Sequence, residues 1–82
     1  MKEFRNKVAV VTGGASGIGL ALARHALSLD MKVVIADIEQ AALERAVIEL
    51  DGGDRLKAVV TDVADADAMN ALASVTEEAF SG

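Results

Sequence analysis

Four glycines fall within the seven residues from Gly13 to Gly19, and they separate two apolar segments of different period. Before them, Lys7 to Val11 is a largely β-branched run without polar alternation, the pattern of a strand covered on both faces. After them, Ile18, Leu22, Ala26 and Leu29 recur at steps of four and three, with Arg24, His25 and Ser28 between. That spacing predicts an amphipathic helix of about 12 residues with those four side chains on its buried face. Asp30 stands where the helix should end in a left-handed residue, a position more comfortable for Gly.

The alternation continues. Lys32 to Asp37 repeats the buried-strand pattern, and Leu43, Val47 and Leu50 mark a second helix closed by Asp51-Gly52-Gly53. Leu56 to Val60 reads as a third strand. From Asp65 onward Met69, Leu72, Ala73, Thr76 and Phe80 share one face of a third helix running to Ser81-Gly82. Six alternating elements in 82 residues, with no proline between them, give an α/β chain of order βαβαβα. Right-handed crossovers then place three parallel strands in the order 3-2-1, with the two crossover helices on one face. The length is that of one domain or part of one.

Composition removes several kinds of chemistry. There are 13 acidic and 8 basic side chains, the basic ones scattered singly, so a nucleic-acid footprint is not expected. No cysteine is present, and His25 alone cannot build a zinc site. His25 also sits two turns into the first helix, away from the strand ends where ligands bind, so no catalytic role is assigned to it. Asp65 and Asp67 suit the positive start of the third helix, and Glu77 and Glu78 a solvated face, which leaves no metal site expected. The first seven residues lack the apolar run of a signal peptide, and no stretch approaches the length of a membrane span. A cytoplasmic location and no membrane partner are the expectations.

The positive content lies in Thr12-Gly13-Gly14-Ala15-Ser16-Gly17-Ile18-Gly19. Gly13 allows a tight turn, Gly17 lets a pyrophosphate approach the backbone, and Gly19 allows the helix to pack closely on the sheet, while the free N–H groups of the first helical turn face the anion. Asp37 ends the second strand eighteen residues after Gly19, where a carboxylate can accept both ribose hydroxyls of an adenosine. A phosphate loop of the Gly-Lys-Ser/Thr kind is excluded, because Gly17-Ile18-Gly19 has no lysine.

This pattern resembles the N-terminal third of the short-chain dehydrogenase/reductase family, whose Thr-Gly-x-x-x-Gly-x-Gly fingerprint is matched by Thr12, Gly13, Gly17 and Gly19. The resemblance covers the whole chain and implies a half-Rossmann fold, with residues 1–82 forming a partial NAD(P)-binding domain. It implies that Ser16 and Ile18 lie against the phosphates and that Asp37 holds the adenosine ribose. It also implies that the Asp62 carboxylate and the Val63 backbone stand near the adenine. Ser16 and Ile38 occupy the positions where NADP-using relatives tend to carry a basic residue, and both are neutral; with Asp37 repelling a 2′-phosphate, NAD is expected over NADP. Within the chain the departures from the family are Asp30 for the usual glycine and Ala64 where a Ser or Thr cap is expected.

The family's hydride-transfer site needs a tyrosine, a lysine four residues later and a serine, and this chain contains no tyrosine. Two readings stay open on sequence grounds: a piece, inactive alone, of an oxidoreductase moving hydride between NAD and an alcohol or ketone, or an autonomous module that binds adenine nucleotides or self-associates. In the order 3-2-1 the first strand is an edge guarded only by Lys7, so pairing with a second copy, or with the missing C-terminal part, is expected there.

Overall fold

A computed structural model describes residues 7–62 and 64–80. Its elements are β1 (Val8–Thr12), α1 (Gly17–Ser28), β2 (Lys32–Asp37), α2 (Gln40–Leu50), β3 (Leu56–Val60) and α3 (Ala66–Phe80), with a 3-10 turn at Gly53–Arg55 leading into β3. The strands form one parallel sheet in the order β1-β2-β3, which is the expected 3-2-1 read from the other edge. β1 begins one residue later than expected and runs on to Thr12, which pairs with Ala36, whereas Lys7 only lends its carbonyl to the Lys32 N–H at 2.8 Å. The expected continuation of α3 into Ser81-Gly82 falls outside the described residues.

Alternation along β2 sorts the core into two layers. Val33 and Ile35 face α1 and α2, where Ala23, Ala26, Leu27, Ala42, Leu43 and Ala46 close over them. Val34 and Ala36 face the other way, onto Leu72 of α3 with Met69, Phe80 and Val59 around it. All four central residues of β2 are fully buried, as a strand covered on both faces requires.

The buried face of α1 differs from the one its large apolar residues predict. Ile18 and Leu22 are exposed, and the helix instead lays Ala23, Ala26 and Leu27 on the sheet. Two alanines carry no side chain beyond Cβ, so α1 sits close to β1 and β2 and turns its bulky Ile18 and Leu22 to the flank. In α2 the same preference holds: Ala42, Leu43 and Ala46 are buried, while Val47 of the expected face lies at the margin.

α1 ends as expected at a left-handed Asp30, φ 62°. The Asp30 N–H donates to the Leu27 carbonyl at 3.0 Å and the Met31 N–H to that of Ala26 at 3.2 Å, which together form a Schellman closure. Arg55 reaches this closure from the 3-10 turn, donating to the Leu27 carbonyl at 3.0 Å and lying 3.7 Å from the Asp30 carboxylate. α3 starts on Asp65, whose carboxylate accepts the N–H groups of Asp67 and Ala68 at 2.9 and 3.3 Å. The cap expected and missed at Ala64 is thus supplied one residue later.

Candidate functional site

Because all three strands run parallel, their carboxyl ends lie at one end of the sheet, and the residues singled out in the sequence gather there. Beyond Thr12 the chain turns through Gly13 at φ 66°, a conformation that strains any side chain. Gly14 then presses against β2: its N–H donates to the Ala36 carbonyl at 3.2 Å, and a Cβ there would stand 2.8 Å from Cβ and Cγ2 of Ile35. Sequence reasoning gave Gly14 no role, although a glycine beside the turn residue was the available signal.

Ser16 caps α1 with extended backbone, φ −158°, but its hydroxyl makes no capping hydrogen bond, and no acidic residue lies in the first turn. The partial positive charge of the helix start is therefore left to whatever approaches it. Gly17, φ 58°, has nothing within 4 Å of the place a Cβ would take, so the approach is open at that point. Ile18 follows at 82% exposure. At Gly19, expected to let α1 pack closely on the sheet, a Cβ would run into the Gly13 carbonyl and the Cα of Gly14, so the missing side chain permits a close fit of α1 on the glycine turn.

Asp37, at the end of β2, meets this turn directly. One carboxylate oxygen accepts the Ala15 N–H at 3.4 Å and the other accepts the Glu39 N–H, at the N-cap of α2, at 3.2 Å. Ile38 beside it is exposed and apolar. On the third strand the ladder extends one step past Val60, where the Thr61 N–H donates to the Asp37 carbonyl at 2.8 Å. Asp62 comes next, exposed, with its carboxylate accepting the Ala64 N–H at 2.9 Å in a local turn. Val63, the other residue expected near an adenine, lies outside the described residues. The structure thus joins the glycine turn to Asp37 and places Asp62 at the same end of the sheet. His25, by contrast, is exposed in the last turn of α1, at the opposite end. Among the described residues no group of His, Cys, Asp or Glu is arranged to hold a metal ion, and no helix is long and apolar enough to cross a membrane.

A helix start with no acidic residue in its first turn, a backbone stripped of side chains at Gly17 and the Asp37 carboxylate at the edge of the turn suit a ligand that is anionic in its middle and carries hydroxyls at one side.

Known proteins resemble this chain in sequence and fold. The C alpha-dehydrogenase of Sphingobium sp. (strain NBRC 103272 / SYK-6) is 40% identical over 81 residues, which are 98% of this chain and 27% of that protein. A short chain dehydrogenase/reductase from Burkholderia phymatum, solved in complex with NAD, superposes with a TM-score of 0.90 at 46% identity, over 98% of this chain and 29% of that one. A putative short-chain dehydrogenase from Novosphingobium aromaticivorans superposes with a TM-score of 0.93 at 36% identity, over 98% and 30%. The chain therefore spans less than a third of the length of these relatives. The family model for short chain dehydrogenases matches residues 7–82, and the chain belongs to that family.

Proposed function

We propose that this chain forms the adenosine side of a dinucleotide site. In this reading the turn Thr12 to Gly19 cradles the pyrophosphate through the amides of Ser16, Gly17 and Ile18. Asp37 accepts the ribose hydroxyls, and Ile38, Asp62 and Val63 border the adenine. The observation that carries it is the contact between the Asp37 carboxylate and the Ala15 amide, which puts the acceptor for a ribose beside the cradle for its phosphates. NAD is preferred to NADP, because a 2′-phosphate would meet Asp37 with neutral Ser16 and Ile38 as its nearest candidates for help. The solved Burkholderia relative with NAD supports this choice of ligand.

The parent activity in this proposal is hydride transfer between NAD and an alcohol or ketone. These 82 residues bind without catalysing, since they hold no tyrosine to serve as the family's acid and base. The location is cytoplasmic, and a second copy or further polypeptide pairs with the outer edge of β1. Titration calorimetry with ADP, NAD and NADP tests the binding. ADP and NAD should bind weakly and NADP more weakly still, with Gly17→Val abolishing all three. Tighter binding of NADP than of NAD would overturn the role given to Asp37.

A further inference from the structure

We infer that Asp37 is also a positioning residue for the glycine turn, so that ribose recognition and phosphate binding are coupled through one carboxylate. The inference rests on the dinucleotide reading for its ligand, but its geometry stands without one. Both carboxylate oxygens are engaged, one with the Ala15 N–H at 3.4 Å and the other with the Glu39 N–H at 3.2 Å. Each carboxylate oxygen offers two acceptor positions, so a ribose can be held while both backbone contacts persist. Ala15 is buried and lies between Gly14, which is pinned to β2, and Ser16, which opens α1.

The segment needs such a tie. Gly13 and Gly17, four residues apart, both take positive φ with open space where a Cβ would be, so neither has a side chain to fix it, and the Gly13 carbonyl rests on the bare Cα of Gly19. The Ser16 hydroxyl makes no capping bond, and the Ser16 carbonyl accepts the Leu20 N–H at 3.3 Å. Between the Gly14 contact with Ala36 and the first turn of α1, the Asp37 carboxylate is the one side chain among the described residues seen to hold the turn's backbone. Removing it frees the amides that would meet a pyrophosphate, even for a ligand with no ribose hydroxyls to lose.

Two measurements test this. In the free protein, the Ala15 amide proton should shift with the same midpoint as the Asp37 carboxyl carbon during an acid titration followed by NMR. In Asp37→Asn its hydrogen exchange should quicken by about fivefold, the worth of one modest hydrogen bond, while the Ile35 amide keeps its protection as a check on the fold. With ligand, Asp37→Asn should weaken ADP and also 2′,3′-dideoxy-ADP, the second by about fivefold. An Ala15 amide that ignores the Asp37 titration, or an unchanged or tighter affinity for dideoxy-ADP in the variant, would overturn the positioning role. If the unsubstituted chain binds neither nucleotide, the dinucleotide reading fails and the titration alone decides the tie between Asp37 and Ala15.

Discussion

β1 and β2 are written in nearly the same residues, Val8-Ala9-Val10-Val11 beside Val33-Val34-Ile35-Ala36, and they end in opposite conditions. Every one of the four in β2 is fully buried, while Val8 and Val10 of β1 are exposed. The sharpest case is Val10 and Val34, register partners on the same face of the sheet, at 46% and 0% exposure. An apolar strand states what cover it was built to have; neighbours decide what cover it gets. β2 is flanked by strands on both edges and covered by α1 and α2 on one face and α3 on the other. β1 has a strand on one edge only, and α3 leaves beside it a groove of about 360 Å³ lined by Val10, Met69, Leu72, Ala73, Thr76 and Glu77.

The largest expected effect follows from that pair. Val34→Lys buries an unpaired charge at a cost of several kcal/mol, comparable to the whole stability of a chain this size, and should leave it unfolded by circular dichroism. Val10→Lys places the same ammonium at the rim, with its stem over the groove, and should keep the dilute chain folded to within about 0.5 kcal/mol. If β1 pairs with a second copy, as proposed, this variant should also sediment as a monomer at concentrations where the unsubstituted chain does not. A folded Val34→Lys, or an unsubstituted chain that is monomeric at every concentration, would break the contrast in its structural or its associative half.

A second test moves to the turn that leaves β1 and leans on β2. Gly14→Ala forces a methyl against the Ile35 side chain and should cost about 1–3 kcal/mol in denaturant melts. Gly13→Ala meets no atom and is penalised only for its φ of 66°, about 1–2 kcal/mol. The two differ in remedy: Asn tolerates the left-handed region better than Ala does, so Gly13→Asn should cost less than Gly13→Ala, whereas Gly14→Asn still sets a Cβ against Cβ and Cγ2 of Ile35 and the Val11 carbonyl and should cost no less than Gly14→Ala. An Asn that eased both substitutions would mean that the turn is not divided in this way.

These contrasts also mark what the sequence could disclose. Strand and helix identities were legible because each segment carries its own period, and the glycine turn because its residues are contiguous. The face of α1 was misjudged because the steps of four and three from Ile18 set Ile18 and Leu22 in line with Ala26, whereas close packing on the sheet selected Ala23, Ala26 and Leu27, with Leu20 beside them. The cap of α3 was sought at Ala64 and stands at Asp65, a shift too small for a pattern to decide. Two further contacts had no local signature. Asp37 reaches Ala15 across 22 residues and Arg55 reaches Leu27 across 28, and only the folded sheet brings such separations together.

The smallest effect concerns the lower end of β2, where the chain enters it from α1. Asp30 at φ 62° costs about 1 kcal/mol relative to Gly. Taken alone, that cost predicts that Asp30→Gly raises the melting temperature. The structure adds a term of opposite sign, because the Asp30 carboxylate lies 3.7 Å from Arg55, both side chains being partly exposed, and such a pair is worth about 0–1 kcal/mol. The net gain should then be under about 1 kcal/mol, a rise of less than about 8 °C for a chain of this length. In an Arg55→Ala background the ion pair is already gone, so the same substitution should raise the melting temperature by more than it does in the unsubstituted chain. Arg55→Ala by itself should lower it, since the Leu27 carbonyl at the end of α1 also loses its side-chain donor. Equal gains from Asp30→Gly in the two backgrounds would show that the ion pair contributes nothing and that Arg55 secures the start of β2 through its bonds to the Leu27 and Met31 carbonyls.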